Sequence, residues 1–310
     1  MTIRDAITSS SQPTQGDPNI SWPIERLSNP SDEWHPLYPS GSADHDSNPS
    51  SESSDESSVD SSIYPDGTKS LSGISLRAFL LGITLSLATS LTILLMTIFP
   101  TPFWRVPSFI ATLSLFHFLE FFVTARYNTH AATVSAFLLS SNGWAYNVAH
   151  GSAIVECIVT NWLWPDWSNQ TTLGKLLTVK EPLFGSSISL PLVVGLLITA
   201  VGQVVRTIAM AQAGSNFNHH VQSEHRAGHV LVTKGLYHIL RHPSYFGFFW
   251  WGIGTQLVLG NVVCLVAYAA VLWRFFSTRI KREEAFLIRF FGAEYVQYRQ
   301  ATPVGIPGIH

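Results

Sequence analysis

Between Arg206 and Ser244 the chain sets Asn216, Asn218, His219, His220, Gln222, His225, His229, His238 and His242 among aromatic residues, with long apolar runs on either side. A polar, histidine-rich segment pinned between apolar helices is where a site on a membrane scaffold is expected. Metal binding is the first chemistry to test. His219, His220 and His225 offer imidazoles, but adjacent side chains seldom converge on one ion, and no carboxylate–His repeat or HExxH motif accompanies them. No metal is inferred. Gly-x-Gly-x-x-Gly, the P-loop pattern and Gly-x-Ser-x-Gly are all missing, so neither a Rossmann site, a nucleoside triphosphatase nor a serine hydrolase is signalled.

What stands out is the run Gly235-Leu236-Tyr237-His238-Ile239-Leu240-Arg241-His242-Pro243-Ser244-Tyr245-Phe246-Gly247. Pro243 fixes the turn into the next apolar stretch and exposes neighbouring backbone groups. Tyr237 and Tyr245 offer aromatic faces on which a cation can rest. Further along, Arg279 and Glu283 stand four residues apart and so share one face of a helix. An ordinary surface ion pair, worth ~0.3–0.5 kcal/mol, is the commoner reason for that spacing. The pair gains interest only from the motif upstream.

These residues must be positioned by apolar elements. Residues 78–99 carry no charge and are closed by Pro100 and Pro102; at ~1.5 Å per residue they cross a hydrocarbon core of ~30 Å. Further spans are expected at 106–125, holding His117 and Glu120, and at 145–164, holding His150 and Glu156. Ionisable groups at such depth face protein or water, and polar packing between helices is their commoner role. An uncharged fourth stretch covers 187–205. The fifth and sixth, 245–259 and 262–273, are joined at Gly260-Asn261, which suits the turn of a helical hairpin. The expectation is therefore an all-α integral membrane protein of about six spans. An even count puts both termini on one side. Placing them in the cytosol gathers Arg126, the 206–241 stretch and 274–299 there, as the positive-inside bias requires.

Charge divides the chain in two. Residues 1–70 hold 12 acidic and 3 basic side chains, whereas 71–310 hold 8 acidic and 15 basic. The first segment is rich in Ser, Asp and Glu and has too few apolar side chains to offset the entropy of ordering, so it reads as a disordered cytosolic tail. Residues 71–310 form the membrane domain, with its chemistry in 206–307. Cys157 and Cys264 lie in apolar stretches and resemble buried hydrophobes rather than a disulfide.

The Arg-His-Pro-x-Tyr-x-Gly run at Arg241–Gly247, followed by Glu283-Glu284, resembles the isoprenylcysteine carboxyl methyltransferase family, although membrane phospholipid N-methyltransferases share that broad signature. Narrower resemblance lies in Asn216-Phe217-Asn218-His219, His229-Val230-Leu231-Val232-Thr233-Lys234-Gly235, Gly254-Thr255-Gln256 and Trp273-Arg274-Phe275-Phe276. It is dense from 206 to 307, thinner from 116 to 164, and absent from 1–70. The resemblance implies S-adenosylmethionine as cofactor, held by Gln222, His229, Val230, Leu231, Val232, Tyr237, His242, Pro243, Ser244, Tyr245 and Glu283. It implies that Arg279 is the catalytic and substrate-binding residue that receives the carboxylate, while Glu284 and Lys281 are structural. The implied substrates are prenylated, CaaX-processed proteins at the bilayer of the endoplasmic reticulum, with no nucleic-acid partner. A phospholipid N-methyltransferase needs no carboxylate receptor, so Arg279 and the Asn216–His219 segment disfavour it. The rival from another class is a non-catalytic membrane scaffold or a transporter; a transporter would carry paired broken helices in two repeats, and the sequence has none.

Overall fold

The computed structural model describes residues 60–139, 141–164, 178–180, 187–225 and 228–310. The expected disordered tail lies outside the described residues up to residue 59. Its last part does not: Asp60 caps a short turn at Ser61–Ile63. Ser70 accepts from the Gly73 amide at 3.1 Å to cap the first helix, and the Thr68 carbonyl accepts from the Val134 amide at 2.8 Å. Residues 60–70, counted with the tail in the sequence, thus carry caps and a bond to the Val134 amide that composition alone does not reveal.

Eight helices follow among the described residues: α1 (Leu71–Thr97), α2 (Arg105–Tyr127), α3 (Gly143–Leu163), α4 (Leu190–Ala213), α5 (Leu236–Ile239), α6 (Pro243–Leu259), α7 (Val263–Phe291) and α8 (Ala293–Ala301). A two-stranded antiparallel hairpin, β1 (Thr178–Lys180) with β2 (Ser187–Ser189), precedes α4. Each of the six apolar stretches forms a helix over most of its length, the fourth only from Leu190, after β2. Four helical segments, 71–97, 102–127, 190–216 and 263–291, are long and apolar enough to cross a membrane. The other two fall short for identifiable reasons. Asn147, His150, Glu156 and Asn161 dilute the apolarity of α3, yet Trp144 and Trp162 are 72% and 74% exposed at its two ends. Eighteen residues at ~1.5 Å each set these indoles ~27 Å apart, the spacing of interfacial belts. Helix α6 has only 17 residues, but 11 of them are buried, so it sits inside the bundle and needs little lipid-facing length.

Helix α1 is apolar on all sides and buries only Leu81 and Ala88, as a lipid-facing helix does. At the end far from the histidine-rich segment, Glu156 of α3 accepts the amides of Val262, Val263 and Cys264 at 2.7, 2.8 and 2.6 Å. A carboxylate from another helix thereby caps α7, satisfying groups that lipid could not. Arg105 closes the same end with a 2.7 Å bond to the Val258 carbonyl. Cys157 and Cys264 are buried and unpaired with each other.

At the opposite end α7 does not stop at Trp273, where its apolar stretch ends. Nothing breaks it before Gly292, so it runs 29 residues, or ~43 Å, and its second half projects beyond the bundle. The chain then returns. Val304, Ile306 and Ile309 of the C-terminal strap bury against Phe249, Phe276 and Ile280.

Candidate active site

The site rests on a close helix crossing. A Cβ placed on Gly247 of α6 would lie 2.6 Å from the Gly202 carbonyl of α4, and one on Gly202 would lie 2.6 Å from the Trp251 amide. The two backbones touch, which no larger residue permits. One turn beyond Gly202, Arg206 therefore meets the start of α6 and donates to the Ser244 hydroxyl at 3.1 Å. Its other edge forms a two-point pair with Glu120 of α2 through Nε–Oε1 and Nη2–Oε2, the latter at 2.7 Å. Phe116 and Phe248 flank the guanidinium at 5.5 and 5.2 Å. Glu120, 1% exposed, also meets His219 Nε2 at 2.9 Å. A buried charge stripped of any partner is strongly destabilising, and here three bonds hold Glu120 in place.

The loop after α4 is thus anchored by His219, and further bonds shape it. Asn128 donates to the Phe217 carbonyl at 2.8 Å. The Val230 amide donates to Asn216 Oδ1 at 3.0 Å, and the Leu236 amide to Gln212 Oε1 at 2.8 Å. A cleft lined by both polar and apolar side chains forms between this loop, the entry to α6 and the second half of α7. All eleven residues expected to hold a cofactor line it: Gln222, His229, Val230, Leu231, Val232, Tyr237, His242, Pro243, Ser244, Tyr245 and Glu283. The far wall comprises Phe286, Leu287, Phe290 and Phe291, joined by Tyr298. Sequence reasoning missed these, although 283, 286, 287 and 290 follow the helical spacing that puts them on Glu283's face.

Two tyrosines stiffen the cleft. Tyr298 donates to the Tyr237 carbonyl at 2.5 Å, and Tyr237 donates to the Ala209 carbonyl at 3.3 Å. Burial, reinforced by nearby Glu283, holds the Tyr237 phenol well above its ordinary pKa, so it remains a donor. Glu284 turns away from the cleft, as expected of a structural residue, but it is far from idle. It accepts from Arg241 Nε at 2.6 Å and meets His242 Nε2 at 3.2 Å. Arg241 in turn donates to the Thr302 carbonyl at 2.7 Å, tying the C-terminal strap to the cleft's edge.

Arg279 lies elsewhere. It lines a second, mostly apolar cavity of about 470 Å³ that runs between α3, α6 and α7, walled by residues such as Leu138, Phe248, Trp251, Leu272 and Phe275. Its Nε donates to the Tyr245 hydroxyl at 2.8 Å and its Nη2 to the His219 carbonyl. The guanidinium lies 5.4 Å from the Tyr245 ring and 5.8 Å from that of Phe275. Phe217, Asn218, His220 and Tyr245 line both cavities. At that shared wall the Tyr245 hydroxyl donates to Glu283 Oε2 at 2.5 Å. A fixed guanidinium in the wall of an apolar cavity can hold an anion whose remainder is apolar. A carboxylate and aromatic faces across the wall suit a cationic group.

Comparison with known proteins agrees. Residues 193–289 match the model of the isoprenylcysteine carboxyl methyltransferase family. The protein-S-isoprenylcysteine O-methyltransferase of Saccharomyces cerevisiae is 43% identical over 248 residues, which is 79% of this chain and 95% of that one. The Homo sapiens enzyme of the same name is 42% identical over 201 residues, 65% of this chain and 64% of its own. A solved structure of a eukaryotic intramembrane Ras methyltransferase superposes with a TM-score of 0.65 at 34% identity, covering 76% of this chain and 77% of the other.

Proposed function

This chain belongs to the isoprenylcysteine carboxyl methyltransferase family, and we propose that it esterifies the terminal carboxylate of prenylated cysteine with S-adenosylmethionine as methyl donor. One observation carries this reading: a cleft of mixed lining and a mostly apolar cavity meet at Tyr245, with Arg279 on one side and Glu283 on the other.

The cleft fits the proposed cofactor by its donor set. Glu283 offers a carboxylate to an amino group or to ribose hydroxyls. Tyr237, Tyr245 and the α7 phenylalanines offer faces to adenine or to a sulfonium cation. When bound, the cofactor would supply an electrophilic methyl group attached to sulfur. The protein's own part is orientation. The acceptor carboxylate is already ionised near neutral pH, so no general base is required. Arg279 holds it by charge-assisted bonds, while the Tyr245 and His219 contacts fix the plane of the guanidinium. Holding an oxygen in line with the methyl–sulfur bond supplies much of the rate. The aromatic walls keep water from competing.

The apolar cavity accounts for the lipid part of the substrate. A farnesyl or geranylgeranyl chain would lie among Leu138, Trp251, Leu272 and Phe275, which line this cavity together with Arg279, the receptor for its cysteine carboxylate. A phospholipid N-methyltransferase needs no receptor for a carboxylate, whereas Arg279 offers one here. The basic residues that flank the site, Arg126 and Arg274 through Arg299, favour a cytosolic catalytic face, in an endoplasmic reticulum membrane. The test is methyl transfer to acetyl-farnesylcysteine with phosphatidylethanolamine as competing acceptor. Transfer to the prenylcysteine is expected; transfer to the lipid amine alone would overturn the reading.

A further inference from the structure

Tyr245 occupies a position that its role as a cofactor contact does not exhaust. Its hydroxyl accepts from Arg279 Nε at 2.8 Å and donates to Glu283 Oε2 at 2.5 Å, so one oxygen stands between the acceptor-side cation and the cofactor-side anion. The group has little freedom. Its ring stacks on His242 at 5.4 Å with an 8° interplanar angle and packs against Phe276 at 5.1 Å. His242 is itself fixed through Glu284. Pro243, one turn's start away, is buried and sets where α6 begins.

We infer that the Tyr245 hydroxyl couples the two cavities, so that filling the cofactor cleft tightens acceptor binding and the reverse. The inference rests on the function proposed above. In a chain of hydrogen bonds each bond polarises the next, so Arg279 donating to Tyr245 strengthens the bond from Tyr245 to Glu283. A cofactor group that donates to Glu283 competes for the same carboxylate and weakens its hold on the hydroxyl. The hydroxyl then draws less on Arg279, which has more of its charge to give to a substrate carboxylate. An acceptor that engages Arg279 loosens the chain from the other side. Linkage requires the two effects to be equal.

The experiment uses S-adenosylhomocysteine and acetyl-farnesylcysteine, which together form an unreactive complex and lack the sulfonium charge that would attract a carboxylate through space. The dissociation constant of each is measured on the full-length protein in detergent, alone and with the other saturating. In the unaltered protein each ligand should tighten the other roughly five- to fiftyfold. In Tyr245→Phe, which keeps the ring and its stacking, the factor should fall below about threefold even where the separate affinities shift modestly. If Tyr245→Phe binds neither ligand, Glu283→Gln serves instead. It retains an acceptor for the hydroxyl but removes the charge, and its coupling must fall too. Full coupling in Tyr245→Phe, or in Glu283→Gln where that stands in, overturns the inference, as does an absence of coupling in the unaltered protein. Failure of acetyl-farnesylcysteine to bind at all strikes the proposed function instead, so the two failures are distinguishable.

Discussion

Replacing Arg279 with lysine keeps the charge and removes the planar fork. Arginine spends Nε on the Tyr245 hydroxyl and Nη2 on the His219 carbonyl, and these contacts fix the guanidinium plane between the Tyr245 and Phe275 rings. A lysine ammonium is a point charge on a flexible stem and keeps at most part of this two-sided support. Losing one charge-assisted bond costs about 1.5–3 kcal/mol. Loss of in-line orientation adds to it, so the total is about 1.5–4 kcal/mol, or roughly ten- to a thousandfold in kcat/KM for acetyl-farnesylcysteine. Binding of S-adenosylhomocysteine without acceptor should change less than about threefold, because Arg279 is not among the residues that line the cofactor cleft. Both quantities are measured on the same membrane preparation, so misfolding, which lowers both, is recognised. Full activity in Arg279→Lys, or loss of cofactor binding in proportion to activity, refutes the carboxylate-receptor role. Arg241 could not then replace it, since that side chain is committed to Glu284 and the Thr302 carbonyl.

Glu283→Gln, a change of charge at nearly constant volume, should raise the KM for S-adenosylmethionine while membrane insertion stays normal; an unaltered KM and turnover would return Glu283 to a structural role. Gly247→Val would force a side chain into the Gly202 backbone, at a cost of about 3 kcal/mol or more, and should abolish the thermal transition of the folded protein; a normal transition would mean that α4 and α6 do not cross this closely. Deleting residues 2–59 should leave methylation of a small prenylcysteine within a few fold, whereas extending the deletion through residue 70 removes the Ser70 cap and should also lower thermal stability, by about 1 kcal/mol for the cap alone. Complete loss of activity in the shorter, correctly inserted deletion would give the acidic segment a catalytic role.

Local chemistry made much of this architecture legible. Pro243 at the first turn and Gly260 just past the end, with φ of 77°, bound α6 as such residues do, so its limits follow from the sequence within two residues. The far end of α7 was not legible in hydropathy, because beyond Trp273 the helix continues in polar surroundings and only Gly292, at φ 55°, stops it. The Glu120–Arg206 pair was hidden for a different reason. Its partners stand 86 residues apart on different helices, and a contact across a bundle leaves no periodic trace in either. A lone carboxylate within a span was the available signal, since such a group needs a partner. The same holds for Glu284, whose neighbour Glu283 faces the cleft while it faces the strap. Adjacent helix residues point ~100° apart, so one of the two was bound to turn inward, but which partners it meets depends on tertiary packing.

The order of residues along α7 connects these observations. Tyr268, Leu272, Phe275 and Phe276 face the apolar cavity, Arg279 stands in its wall, and Glu283, Phe286 and Phe290 face the cleft. Successive turns of one rigid rod therefore pass from the apolar cavity to the cleft, and the change falls between 279 and 283, a rise of ~6 Å. An isolated loop could carry the same side chains, but each would sample its own orientations. A helix capped by Glu156 at one end and clasped by the C-terminal strap at its middle, around Phe276 and Ile280, holds them at fixed spacing. This explains why α7 must be longer than a membrane is thick. Its first half lines the apolar cavity and its second half lines the cleft, so one helix carries both Arg279 and Glu283 to their shared wall at Tyr245.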